Sequence, residues 1–264
     1  MELELRGAAV CVAGGTRGMG RATVELLAAE GARVAVLGRE REALDATVDR
    51  LRVLGAPDAL GLAVDLADPA RVDGAFGELA ERWGELNGLV NAAGPATQRV
   101  RWYEIPDREW LDSYTLGTLS AVRTMRAALP LLRAAAWARI VNIGAMSTRH
   151  PSTHRAAYTA AKAALSMLTK QVSMDLAPEQ ILVNTVSPGA VLTERLRARL
   201  DPEVDPEDTA AVMTWLGEHS GFTAQTGRIG RPEQVASVVA YLLSPANGYL
   251  TGADVNVDGG SLFR

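Results

Sequence analysis

Ala8-Ala-Val-Cys-Val-Ala13-Gly-Gly-Thr-Arg-Gly-Met-Gly20-Arg-Ala-Thr-Val-Glu-Leu-Leu-Ala-Ala29 joins an apolar run, a glycine-rich turn and an amphipathic run without a break. Six residues with no polar group read as a strand buried on both faces, as in a parallel sheet. Glycines at 14, 18 and 20 let the backbone turn tightly and bring the free amides of a helix start close to a ligand. That end also carries the positive pole of the helix dipole, so it suits a pyrophosphate. Gly14, Gly15, Thr16, Arg17, Gly18, Met19 and Gly20 are therefore candidate cofactor contacts. Their spacing is G-x-x-x-G-x-G, not the G-x-G-x-x-G of the ordinary dinucleotide fingerprint. A tight turn with no ligand is the plainer alternative.

Further along, short apolar runs alternate with longer amphipathic ones. The pattern predicts strands over Ala8–Ala13, Arg33–Leu37, Ala59–Val64, Gly88–Asn91, Arg139–Ile143, Leu182–Val186 and Asp254–Val257. It predicts helices over 18–30, 40–54, 69–83, 107–134, 157–177 and 232–243, with Asp68-Pro69 and Pro106-Asp107 as helix starts and Pro178 as a stop. Such alternation implies right-handed βαβ units. We expect an α/β fold: a single domain over 1–264 with a Rossmann-type, doubly wound, parallel seven-stranded sheet. The rhythm fails only at 194–228, where Met213, Trp215, His219 and Phe222 suit a lid over a ligand cleft. A surface excursion packing its own aromatics, or an oligomer contact, is the other reading.

The second strand ends in Gly38-Arg39, where an acid would bond a ribose diol and repel a 2′-phosphate. Arg39 and Arg17 can grip that phosphate instead, which favours NADP(H) and leaves NAD(H) open. Asp65 either accepts from an adenine amino group or caps its own turn. Tyr158 and Lys162, four apart on a predicted helix, share a face. An ammonium beside a phenol favours its anion and makes it a usable general acid/base.

Bulk properties exclude other classes. The chain has 264 residues, 27 Lys+Arg against 31 Asp+Glu, and one cysteine. No basic footprint for nucleic acid is visible and no internal disulfide can form. Nothing reads as a signal peptide or a membrane span, so a cytoplasmic protein is expected.

Taken together, the chain resembles the short-chain dehydrogenase/reductase family. The resemblance rests on Gly14-x-x-x-Gly18-Met-Gly20, Asp65-Leu66, Asn91-Ala-Ala-Gly94, Tyr158-x-x-x-Lys162 and Ser187-Pro-Gly189 followed by Thr193. Gly230-Arg-Pro-Glu and Thr251-Gly-x-x-x-x-Val-Asp-Gly-Gly260 also match. It implies an NAD(P)-dependent enzyme interconverting a ketone and a secondary alcohol. By that resemblance Tyr158 is the proton donor or acceptor, and Lys162 holds the nicotinamide ribose hydroxyls while lowering the tyrosine pKa. Asp65, Leu66, Asn91, Ala93 and Gly94 border the adenosine side; Pro188, Gly189, Val191 and Thr193 lie towards the nicotinamide. It also implies a homotetramer or homodimer packed through the 107–134 and 157–177 helices.

Two catalytic positions depart from the family pattern. The usual serine is Ala145, preceded by Gly144, and a methyl group cannot bond a substrate oxygen. If residues 143–148 continue extended, Ser147 points to the same side and can stand in. The usual asparagine is Tyr114. His150 and His154 fall in the loop before Tyr158, where either could donate a proton or bind substrate; exposed loop histidines are the plainer reading, and no third ligand suggests a metal. The leading function is an NADP(H)-dependent oxidoreductase on a partly apolar small molecule, with Tyr158, Lys162 and Ser147 as catalytic residues. A dehydratase, isomerase or cyclase using Tyr158, and a non-catalytic nucleotide sensor, are the alternatives.

Overall fold

A computed structural model describes residues 2–95 and 100–261. Strands β1 (Ala9–Ala13), β2 (Arg33–Gly38), β3 (Ala59–Ala63), β4 (Gly88–Asn91), β5 (Ala138–Ile143), β6 (Ile181–Pro188) and β7 (Asp254–Val257) form one sheet in the order β3-β2-β1-β4-β5-β6-β7. Every pairing is parallel. The predicted strands and the Rossmann-type architecture are borne out.

Alternation along the strands explains why they read as continuous apolar runs. Val10, Val12, Val34 and Val36 face one layer, built with α1 (Gly18–Ala29), α2 (Arg41–Leu54) and α9 (Pro232–Leu243). Ala9, Cys11, Ala13, Ala35 and Leu37 face the other, built with α3 (Pro69–Trp83), α5 (Ser120–Ala134) and α6 (Ala156–Leu176). Cys11 is fully buried, and that burial pushes its thiol pKa up, as suits an inert core residue. Asp68 caps α3 by accepting from the amides of Ala70 and Arg71, with Pro69 at the first helical position.

The segment predicted as one helix over 107–134 is not one regular helix. It runs as α4 (Asp107–Tyr114), a π-helical turn over Thr115–Leu119, and α5. Gly117 and Thr118 account for the irregularity. A Cβ on Gly117 would stand 2.8 Å from Ala161 Cβ, and Thr118 Oγ1 donates to the Ala161 carbonyl at 2.7 Å. The widened turn lets this chain segment press against α6 beside Lys162.

Residues 194–228 contain α7 (Glu194–Arg197) and α8 (Thr209–Ser220). Met213, Trp215 and Leu216 pack with Leu192, Val212 and Ile229 into a small core of their own. Trp215 Nε1 donates to Asp201 at 2.7 Å and its ring stacks on His219. The predicted aromatics thus turn inward on the segment rather than lying open.

Candidate active site and cofactor cleft

Connections from β1 lead outward to β2 and β3 on one side; from β4 they lead outward on the other. The crevice past the carboxyl ends of β1 and β4 is therefore the topological switch point, where such sheets take ligands. Gly14 has φ +86°, and a Cβ there would lie 2.7 Å from Ala93 N; one on Gly20 would lie 2.1 Å from the Gly14 carbonyl oxygen. Backbone thus touches backbone between the glycine turn and the Ala92–Gly94 loop, which no larger residue permits.

The start of α1 already receives an anion from this chain. Gly18 N donates to Glu194 Oε2 at 3.0 Å, and Arg21 pairs with Glu194 at 2.6 Å. A carboxylate on the first amide of the helix is the bonding that a pyrophosphate needs there, so the cradle fits a dinucleotide. Thr193 is adjacent: a Cβ on Gly18 would stand 3.3 Å from Thr193 Cγ2. Gly189 N donates to the Val257 carbonyl, and Val191 bridges to Gly230, which bends the chain after Pro188 toward the turn. Gly15 and Met19 pack into the first core layer.

Thr16 lies over Gly38, where a Cβ would be 3.1 Å from its Cγ2, so the turn that carries Arg17 packs against the end of β2 that carries Arg39. Both are exposed, and neither pairs with an acid among the described residues. Asp65 Oδ1 accepts from Ala67 N at 2.9 Å and so caps its own turn. Leu66 sits in the core, and its carbonyl accepts from Arg123. Asn91 is 5% exposed and its side chain is committed elsewhere: it donates to Asn142 at 2.8 Å and accepts from Thr124 at 2.6 Å. Asn142 in turn donates to Thr169 at 2.9 Å. This polar chain ties β4 and β5 to α5 and α6, leaving Ala92, Ala93 and Gly94 to border the cleft.

Tyr158 and Lys162 occupy consecutive turns near the start of α6. Lys162 is 3% exposed; its Nζ donates to the Ile143 carbonyl at 2.7 Å and would stand 3.5 Å from a Cβ on Gly94. Burial lowers its pKa from 10.5 to about 8. The tyrosine departs from expectation: burial raises its pKa, and the cations that offset the rise are Arg155 and Arg195. Lys162 spends its ammonium on a carbonyl and is itself desolvated, so the phenol sits above its ordinary value in this state.

Ser147 also departs from its expected geometry. The strand ends at Ile143, and Met146–Thr148 form a 3-10 turn closed by Thr148 N donating to the Ala145 carbonyl. The period-two argument that aimed Ser147 with Ala145 therefore fails. Ser147 is nonetheless buried, and its Oγ accepts from Thr159 at 3.3 Å, one residue beyond Tyr158. Gly144 has a packing reason: a Cβ there would meet Thr185 Cγ2 at 2.6 Å and Ser187 Oγ at 2.8 Å. Tyr114 is 45% exposed, and the Lys162 hydrogen bond goes to Ile143 instead. His150 and His154 are exposed, and His154 Nδ1 bonds its neighbour Thr153. Among the described residues no acidic, histidine or cysteine group could hold a metal, and no helix is long and apolar enough to cross a membrane.

Sequence reasoning missed Glu194 and Arg155. The Arg155 guanidinium lies 4.6 Å from the Tyr158 ring centroid. A cation three residues before the tyrosine, at a helix start, was the available signal.

Comparison with known proteins agrees with this geometry. The family model described as enoyl-(acyl carrier protein) reductase matches residues 13–261. A short-chain reductase protein, NovJ of Streptomyces niveus, is 33% identical over 252 residues, covering 94% of this chain and 92% of its own. The structure of L-sorbose reductase from Gluconobacter frateurii, complexed with NADPH and L-sorbose, superposes with a TM-score of 0.92 at 27% identity over all of both chains. A short-chain oxidoreductase from Pseudomonas aeruginosa, described as containing an atypical catalytic centre, gives 0.87 at 31% identity over 96% of each chain. This chain belongs to the short-chain dehydrogenase/reductase family of oxidoreductases.

Proposed function

We propose that this chain is an NADP(H)-dependent oxidoreductase interconverting a ketone and a secondary alcohol on a partly apolar small molecule. The observation that carries the proposal is the buried Lys162 ammonium between the Ile143 carbonyl and Gly94, one helical turn from Tyr158. A bound nicotinamide supplies or accepts the hydride. The amides at the start of α1 receive its pyrophosphate in place of Glu194, and Arg17 and Arg39 hold the 2′-phosphate. Pro188, Gly189, Val191 and Thr193 flank the nicotinamide side, and Ala93 and Gly94 the adenosine side, of the cleft. Lys162 binds ribose hydroxyls, and its charge draws the Tyr158 pKa down once it turns from Ile143. Tyr158 then gives its proton to the developing alkoxide, or takes one in the reverse direction. Ser147, which accepts from Thr159 and keeps its own proton, is the hydroxyl offered to the substrate oxygen. The 194–228 segment closes over the substrate as a lid. The NADPH and L-sorbose named for the sorbose reductase support a nicotinamide-dependent ketone reduction.

The protein assembles as a homodimer or homotetramer through α4–α5 and α6. Leu111, Met167 and Met174 on these helices are 67%, 61% and 73% exposed, apolar area that a partner would cover.

Purified protein is incubated with NADPH and a panel of cyclic and aliphatic ketones while nicotinamide absorbance is followed. Tyr158→Phe should cut kcat/KM by about 10²- to 10⁴-fold and leave NADPH affinity unchanged. Turnover that survives this substitution would end the proposal. A second reading rests on Ala145, whose methyl offers no donor where the family has a serine. On that reading Tyr158 drives dehydration, isomerisation or cyclisation, and product forms without cofactor consumption.

A further inference from the structure

The start of α6 carries a cation where helix chemistry favours an anion. Its N-cap is Arg155, whose side chain caps no amide, and no acid stands in the first turn. N-cap positions favour Ser, Thr, Asp or Asn, and the amides of a first turn attract negative charge. An arginine here weakens the helix start, so its reason lies elsewhere. Among the described residues its guanidinium makes no hydrogen bond and no ion pair. Its contact is the face of Tyr158, with the guanidinium carbon 4.6 Å from the ring centroid.

The phenol needs such a partner. Burial raises the Tyr158 pKa, and the charges of Arg155 and then Arg195 of α7 oppose the rise. Lys162, one turn further along α6, gives its Nζ to the Ile143 carbonyl at 2.7 Å. Arg149, toward β5, is held by Asp254 at 3.4 Å, and His154 bonds Thr153. The α4 helix packs on α6 and carries Asp107, Glu109 and Asp112, yet among the described residues no acid acts on the phenol.

Resting on the reading of Tyr158 as the acid/base group, we propose that Arg155 is a positioning residue for proton transfer: its guanidinium clamps the ring face and stabilises the tyrosinate. A cation over an aromatic face is attracted by the ring electrons, and more strongly once phenolate charge spreads into the ring. The proton leaves the phenol oxygen for the alkoxide oxygen, and the guanidinium keeps its own protons. Arg155 lies on the ring while Lys162 is still bound to Ile143, so the phenol has a cation beside it before Lys162 turns. The stacked guanidinium also limits rotation of the ring, which fixes the hydroxyl in a pocket that offers no donor at Ala145.

The chain has five tyrosines, so the Tyr158 titration is read as the ultraviolet tyrosinate signal of each protein minus that of its Tyr158→Phe counterpart. The midpoint should lie about one pH unit higher in Arg155→Gln than in the parent, and Arg155→Lys should restore at least half of the shift. Arg155→Asn supplies a favoured N-cap without the charge. It should fold at least as stably as the parent and still show the raised midpoint. With NADPH and a ketone, the alkaline limb of kcat/KM reports loss of the Tyr158 proton and should move up with the midpoint. A residue that only supported the helix start would lower stability and depress activity equally at every pH. A midpoint unmoved in Arg155→Gln and Arg155→Asn would overturn the proposal, as would one equally raised in Arg155→Lys. A shifted midpoint in protein that reduces no ketone keeps Arg155 as the partner of the phenol and removes the redox reading. Ketone reduction that depends on Tyr158, with a midpoint indifferent to Arg155, does the reverse.

Discussion

The glycine turn and the Tyr158 pocket belong to one site yet meet the family pattern to different degrees. At the glycine turn, Gly14 and Gly20 sit where backbone contacts backbone, and even a methyl group would overlap. Around Tyr158 the family's serine and asparagine have become Ala145 and Tyr114, and Arg155 lies over the tyrosine ring. Nucleotide binding here depends on close approach, which few residues allow. Proton transfer depends on side-chain chemistry, which several residues can supply. Gly14 and Gly20 of the turn leave no room for a side chain, whereas the pocket has been rebuilt around a retained Tyr–Lys pair.

Gly20→Ala should give the largest effect, because its Cβ would fall 2.1 Å from the Gly14 carbonyl oxygen. A loss above about 4 kcal/mol in denaturant unfolding is expected, with NADPH binding abolished. A variant of parental stability that still binds would break the contrast between the two regions.

Lys162 is next. Its pKa falls from 10.5 to about 8 because the charged form is buried, so folding withholds about 3 kcal/mol while the lysine is protonated. Between about pH 8 and 10.5 the unfolded chain binds more protons than the folded one, so stability rises with pH across that window. Lys162→Met removes the slope. Its stability relative to the parent should be greatest below pH 8 and should decline as pH rises toward 10.5. Parallel unfolding curves at pH 7 and 10 would show that the ammonium is better solvated than its surroundings indicate.

These two positions also show what the sequence could disclose. Strands were legible because burial on both faces favours apolar residues, the few polar ones such as Asn91 and Asn142 being bonded to one another, and the glycine turn because Gly14 and Gly20 leave no room for a side chain. Tyr158 and Lys162 were legible through helical spacing. The tyrosine's electrostatics were not, since they depend on burial and on the charges of Arg155 and Arg195, which lie on different elements. Nor was the break at Thr115–Leu119, which comes from Gly117 and Thr118 meeting Ala161, a contact 43 residues distant along the chain. Ser147 was misplaced because a short 3-10 turn leaves no periodic trace.

The pocket can be pushed back toward the family pattern at one position and not at its neighbour. Ala145 is buried but extended, with φ −162°, whereas Gly144 lies against Thr185 and Ser187. Ala145→Ser should raise kcat/KM on a neutral ketone by about tenfold or more, the scale of one restored oxyanion donor. Gly144→Ser should destabilise instead, through overpacking. If Ala145→Ser brings no gain, a donor already serves the substrate oxygen, and Ser147→Ala should then cost what the restored serine failed to add.

Arg39→Ala tests the one part of the nucleotide region that depends on an exposed side chain. Thr16 packs against Gly38, so Arg17 and Arg39 sit on adjoining segments, and neither pairs with an acid among the described residues. Losing one of the two should weaken NADPH about tenfold while leaving NADH nearly unchanged, since an exposed, salt-screened contact is worth little more. The effect should shrink as salt is added. Equal weakening of both cofactors would mean that Arg39 shapes the end of β2 and does not read the 2′-phosphate. Selectivity would then lie in the backbone too, and the contrast with the Tyr158 pocket would become sharper.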